Sequence, residues 1–210
     1  MQHTKETYVI QLVENFSQKK SHPPMNAHAV TEADDSRMLA ALALALVDHP
    51  RATLQELAKA AGVSKATLYR FCRTREQLIQ RLATQASEAL NQATEDACLE
   101  TDPPAEALRK LIARHLEHPE LTAFLTHYWN DLAREMPPET IEKCEQRMDA
   151  FFLRGQQAGV FRIDVTAATL SELWFSIFSG LVDAERRGRL ARAGLAHIVE
   201  TTFLRGVSAP

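Results

Sequence analysis

The chain has 210 residues, 24 Lys and Arg against 27 Asp and Glu, a formal charge of −3, and 45% hydrophobic residues. That length holds one domain or two. Its longest apolar run, Met38 to Val47, is far short of the roughly 20 residues a membrane helix needs, and residues 1 to 20 hold no continuous apolar core, so neither a membrane span nor a secretory signal is expected. Cys72, Cys98 and Cys144 are odd in number and show no CxxC spacing, which points to a reduced cytoplasmic setting and away from a zinc site.

Residues 1 to 33 stand apart, because His22-Pro23-Pro24 breaks any helix before it and Lys5, Lys19 and Lys20 are balanced by acidic neighbours. A loose arm, or a start site at Met25, is expected there. Apolar spacing then predicts a helix over about Asp35 to Asp48, with Met38, Leu39, Leu42, Leu46 and Val47 inward and His49-Pro50 as its stop.

The next stretch, Leu54 to Phe71, reads LQELAKAAGVSKATLYRF. Thr53 and Glu56 form a capping box, Leu57, Ala58 and Ala61 share one face, and Gly62 supplies the positive φ of a sharp turn. Ser64 caps a second helix whose inner face is Val63, Leu68 and Phe71. This is the register of a helix-turn-helix, with recognition helix 64–71. Its outward face carries Lys65, Thr67, Tyr69 and Arg70, followed by Arg73, Thr74 and Arg75. From Asp35 to Leu82 there are eight basic and four acidic residues, leaving −7 for the remainder of a chain of −3. A basic head on an acidic body suits docking one end on phosphates.

Thr74 and Gln77 repeat the capping signature and open a long helix to about Leu99 that links head to body. Pro103-Pro104 opens a helix to about His118, Pro119 another to about Glu135, and Pro137-Pro138 a long one to about Gly159. Asp164 or Thr166 starts a helix to Arg187, and a last one spans about Leu190 to Gly206. The expected fold class is all-α, with about nine helices. A helix-turn-helix domain is expected over 34–82 and a helical regulatory and dimerisation domain over 83–210.

An amphipathic helix followed by TLQELAKAAGVSKATLYRF and the TREQL entry resembles the N-terminal domain of TetR-family transcriptional regulators. RATLQELAKAAGVSKATLYRFCRTREQL, DAFFLRGQQAGVFRIDVTAA and VDAERRGR further resemble the NfxB-type repressors of multidrug-efflux operons. The likeness runs from about Asp34 to Val207 and is weakest from Ala97 to Met148. It implies a cytoplasmic repressor, homodimeric through its last two helices, that binds double-stranded operator DNA and is released by a small apolar or cationic ligand. A regulator without an inducer, or a ligand-binding module recruited to DNA, are the alternatives.

Lys65, Ala66 and Thr67 lie in the first turn of the recognition helix, closest to base edges; Lys65 can donate to guanine, and the methyls of Ala66 and Thr67 can touch thymine. Ser64 caps that turn, while Tyr69, Arg70 and Arg73 should lie toward flanking phosphates. The resemblance makes Thr53, Tyr69 and Arg75 phosphate contacts. Cys72 stands where such chains usually have Phe and is expected in the core; Arg75 stands where they usually have Lys.

Dimerisation follows from the reach of one recognition helix, and Ser176, Gly180 and Ala184, four apart, offer a flat strip for a partner helix. The resemblance places the ligand among Phe124, His127, Tyr128, Trp129, Met136, Phe151, Phe152, Trp174 and Phe178, with Glu135 or Glu172 near a cation; core packing accounts for the same aromatics. His115 and His118 share a helical face, but no thiolate or carboxylate stands at ligand spacing, so no metal is expected. No nucleophile elbow, P-loop or dinucleotide fingerprint is present, so neither an enzyme nor a cofactor is expected.

Overall fold

Capping side chains and prolines set where the helices begin. The computed structural model of the chain describes residues 29–134, 136 and 138–207. Among them are nine helices: α1 (Ala29–Asp48), α2 (Leu54–Ala60), α3 (Lys65–Phe71), α4 (Arg75–Asp96), α5 (Pro104–His115), α6 (Pro119–Ala133), α7 (Pro138–Gln157), α8 (Ala167–Arg186) and α9 (Leu195–Val207). Thr53, Ser64, Thr74 and Thr166 each accept a bond from the backbone N–H three residues on. Pro104 and Pro119 occupy first helical positions, where a missing N–H costs nothing.

Several ends differ from the sequence expectation. The first helix starts at Ala29, not Asp35, because AVTEADD holds no Gly or Pro to stop it; most of the expected arm, residues 1–33, lies outside the described residues. α4 ends at Asp96 because Cys98 takes φ +52° and its carbonyl accepts from Thr101 and Asp102 in a turn. α5 stops at His115, and α7 stops at Gln157 ahead of Gly159 at φ +70°. α9 begins at Leu195 rather than Leu190, after Gly194 at φ +100°.

The apolar core divides in two. One cluster joins Leu42 and Leu46 of α1, Leu57 and Ala58 of α2, Leu68 of α3 and Leu78 and Leu82 of α4 to Phe124, Tyr128 and Leu132 of α6. Helices of seven residues such as α2 and α3 are not stable alone. Burial of Leu57 and Leu68, each completely covered, contributes roughly 1.5–3 kcal/mol apiece and holds them in place. The second cluster joins Leu108 and Ile112 of α5, Phe151 and Phe152 of α7, Trp174 and Phe178 of α8 and Phe203 of α9. α6 thus serves the head as much as the body, and the head's core runs past Leu82 to Ala83 and Ala86.

α8 is rich in apolar residues from Leu170 to Val182. Within one subunit Trp174, Phe178 and Val182 turn inward, while Leu173, Phe175, Ser176 and Gly180 are exposed.

Candidate nucleic-acid interface

The two short helices are locked to one another by their turn. Gly62 takes φ +67°, its N–H donates to the Lys59 carbonyl at 3.2 Å, and the Val63 N–H donates to the Ala58 carbonyl at 2.8 Å. A Cβ at Gly62 meets nothing within 4 Å, so the backbone angle alone demands glycine here. Ala58, 3% exposed, sits in the head's core beside Leu57.

Caps fix both helix starts. The Thr53 N–H donates to Glu56 Oε2 at 2.8 Å, and the Glu56 N–H returns a bond to Thr53 Oγ1 at 3.3 Å. That reciprocal pair holds the Glu56 carboxyl below its ordinary value, chiefly through the bond from the Thr53 backbone. At α3, the Thr67 N–H donates to Ser64 Oγ at 3.0 Å and the two hydroxyls lie 2.7 Å apart.

The exposed face of α3 is a small polar array. Lys65 Nζ donates to Gln55 Oε1 at 3.4 Å and lies 5.6 Å from the centre of the Tyr69 ring, which is itself 42% exposed. Thr53, Ser64, Lys65, Ala66, Arg70 and Arg73 are exposed, and Thr67 is half-buried behind its cap. The Arg73 N–H is taken by Gln77 Oε1 at 2.9 Å, which fixes the entry to α4. Gln55 escapes a reading of the recognition helix because it lies on α2; its position two residues after the Thr53 cap was the available signal.

Arg75 stands apart from this array. Its Nη2 donates to the Pro50 carbonyl at 2.7 Å and to the Tyr128 hydroxyl at 2.8 Å, so the guanidinium is turned into the joint between head and body. Its Nε is buried without a partner. Cys72 is 3% exposed in the core, as its position suggested, and desolvation raises its thiol pKa. A thiol in that state is a poor redox sensor.

The aromatic residues expected around a ligand do not converge. Phe124 and Tyr128 belong to the head's core, whereas Phe151, Phe152, Trp174 and Phe178 belong to the body's. Trp174 stacks on Phe178 at 5.0 Å and meets Phe203 edge-on at 5.5 Å. Trp129 is 42% exposed, His127 and Glu172 are exposed, and Met136 packs against the head's core. Glu135 lies outside the described residues.

His115 is spoken for by structure. Its Nδ1 lies 3.0 Å from the Leu111 carbonyl and its ring meets Phe178 edge-on at 5.8 Å. Among the described residues no group of three or more His, Cys, Asp or Glu is placed to hold a metal ion, and no helix is long and apolar enough to cross a membrane.

Comparison with known proteins places this geometry. Residues 40–82 match the family described as bacterial regulatory proteins, tetR family. The chain is 51% identical over 178 residues, 84% of its own length and 95% of the other's, to the HTH-type transcriptional regulator NfxB of Pseudomonas aeruginosa. It is 34% identical over 88 residues, 42% of this chain and 47% of the other, to the HTH-type transcriptional repressor LfrR of Mycolicibacterium smegmatis. In fold it is similar to the crystal structure of LfrR in complex with proflavine, with a TM-score of 0.60 at 24% identity over 86% of this chain and 99% of that one. The MbdR regulator from Azoarcus sp. CIB gives a TM-score of 0.65 at 17% identity over 83% and 98% of the two chains. A helix-turn-helix head capped at both helices, on an all-α body and half identical to a regulator over nearly that protein's whole length, identifies the chain as a TetR-family transcriptional regulator rather than an enzyme.

Proposed function

We propose that this protein is a homodimeric repressor, acting in the cytoplasm, of an operon encoding a multidrug efflux pump. The exposed α3 face, with Lys65 held between Gln55 and Tyr69, carries the DNA half of this reading. Lys65, Ala66 and Thr67, with Ser64 as cap, meet base edges, while Thr53, Tyr69, Arg70 and Arg73 lie along phosphates. The Arg75 guanidinium is engaged by Pro50 and Tyr128. The Gln77 N–H is taken by the Thr74 hydroxyl, so what α4 offers a phosphate is the positive end of its dipole. Two subunits pair through α8 and α9, where Leu173, Ser176 and Gly180 are exposed, to span half-sites roughly 34–36 Å apart or a multiple of that.

Similarity to NfxB over most of the chain supports the regulatory reading, and LfrR, a repressor whose structure holds proflavine, supports release by a small apolar or cationic molecule. In this mechanism a ligand in the body tilts α4 and moves the recognition helices out of register. Coupling of ~1–3 kcal/mol weakens DNA binding ~5- to 150-fold, whereas near-complete switching needs roughly 5.5 kcal/mol, so a modest preference gives leaky induction. A regulator without such an inducer is favoured by one observation, the close packing of Phe151, Phe152, Trp174 and Phe178 against one another and Phe203.

The test is transcription in vitro from the promoter upstream of an adjacent efflux operon. Repression that depends on the native promoter and is relieved by a transported drug supports the full reading. Repression that no drug relieves supports the inducer-free form, and no effect on transcription overturns both.

A further inference from the structure

The first turns of α2 and α3 are joined by a side-chain contact. Lys65, the first residue of α3, donates from Nζ to Oε1 of Gln55, the second residue of α2, at 3.4 Å. Both backbones are fixed where this contact is made: Thr53 caps α2, Ser64 caps α3, and the Val63 N–H bond to the Ala58 carbonyl closes the turn between them. Two rigid helix starts therefore set the direction of a long, flexible side chain.

Chemistry decides how the amide is turned. An ammonium only donates, so Gln55 must face it with the carbonyl oxygen and turn the NH2 away. The partner is also neutral. The first turn of α3 holds no acidic residue, and Glu56, beside Gln55, is drawn back to its own cap, where the Thr53 N–H and hydroxyl both donate to its Oε2 at 2.8 Å. The amide thus directs Lys65 without cancelling its charge. The Tyr69 ring centre stands 5.6 Å from the ammonium, close to the outer limit of cation–π attraction at about 6 Å, and a ring face offers no single atom to aim at. The directional partner is Gln55.

We propose that Gln55 is a specificity-determining positioning residue of this interface: it holds the Lys65 ammonium on the O6 and N7 acceptors of one guanine in each half-site, without reading a base itself. This rests on the DNA-binding reading above. In the major groove guanine alone presents two acceptors and no donor on its edge; adenine sets its N7 beside an N6 donor, cytosine offers a donor, and thymine offers one acceptor beside a methyl. An unrestrained lysine reaches any of these acceptors, because its three N–H donors rotate on a four-carbon stem. A lysine tied at one N–H has its other donors turned away from Gln55, and two adjacent acceptors suit them. A bond of 3.4 Å is long for a charged donor, so it biases the side chain without anchoring it. The expected effect is modest.

The experiment selects the full chain's preferred site from duplexes of random sequence, then measures affinity for that site and for copies in which each guanine is changed to adenine or to a guanine analogue without N7. Lys65→Ala is expected to lose the preference at one guanine of each half-site. Gln55→Met, similar in length but with no acceptor at its end, lowers the preference at that same guanine about three- to tenfold, and in a Lys65→Ala background it changes that preference no further. Gln55→Glu restores an acceptor, so it keeps the guanine preference while its charge weakens binding to every duplex. Losses from Gln55→Met that fall on another base pair, or that add in full to those of Lys65→Ala, overturn the positioning role and make Gln55 a contact of its own. A guanine preference that Gln55→Met leaves whole overturns it equally. Failure to enrich any site overturns the DNA reading and this inference with it, whereas an enriched site with additive losses overturns this inference alone.

Discussion

Arg75 and Tyr128 join the first turn of α4 to the middle of α6 through one hydrogen bond of 2.8 Å, spanning 53 residues of sequence. The same tyrosine hydroxyl donates a hydrogen bond to the Leu46 carbonyl, so three helices meet at a single oxygen. α4 carries the recognition helix on its N-terminal side, and any tilt of α4 must stretch this bond or move α6 with it.

Tyr128→Phe removes the oxygen and leaves Arg75 with the Pro50 carbonyl alone. A hydrogen bond to a charged group contributes about 1.5–3 kcal/mol, and a loss of that size in urea unfolding is expected. In a double-mutant cycle with Arg75→Ala, the coupling energy should exceed ~0.5 kcal/mol; additive losses would show that the two side chains act independently.

Acid should weaken the body through His115. Its pKa is lowered to about 4, first by burial and then by His118, against the opposing bond to the Leu111 carbonyl. The unfolded chain, with an ordinary histidine near 6.5, therefore binds more protons between pH 6.5 and 4. Stability is full above pH 6.5 and falls as pH drops to 4, by at most about 3 kcal/mol from this group. The measurement is the urea midpoint against pH, and His115→Gln should flatten that part of the profile.

Gly155 lies against a ring that cannot retreat. A Cβ there would stand 2.1 Å from Phe161 Cδ2, and Phe161 is fully buried beside Phe151 and Phe152. Gly155→Ala should cost about 1–3 kcal/mol or more through overpacking. Adding Phe161→Leu should recover part of the loss; two independent penalties would mean that contact with Phe161 is not the cause.

The thiols should react in order of exposure. Cys98 is exposed, whereas burial raises the pKa of both Cys72 and Cys144. A disulfide reagent added to the native protein should label Cys98 first and Cys72 only on unfolding. Rapid labelling of Cys72 in the native state would contradict its burial in the head's core.

The helices were legible because their signals are local. Thr53, Ser64, Thr74 and Thr166 announce helix starts within three residues of themselves, and Gly62 announces the turn. What could not be read depends on partners far along the chain. Nothing near Phe124 or Tyr128 says that α6 completes the head's core. Nothing near Arg75 says that Pro50 and Tyr128 will turn it inward, and the pairing of Asp48 with Arg186 has no sequence signature. Likewise, aromatic residues at helical spacing look the same whether they pack on one another, as Trp174 and Phe178 do, or face a cavity.

The most direct test of the DNA-reading claim is fluorescence anisotropy of the purified protein on its own upstream DNA and on scrambled DNA, at two salt concentrations. The account predicts tight binding confined to the native sequence. Lys65→Ala should weaken it ~5- to 150-fold, the ~1–3 kcal/mol of a base contact, and Tyr69→Ala should weaken native and scrambled DNA alike. Equal, steeply salt-dependent binding to both DNAs would contradict sequence recognition, and absence of binding to either would contradict the DNA-reading role of α3 itself.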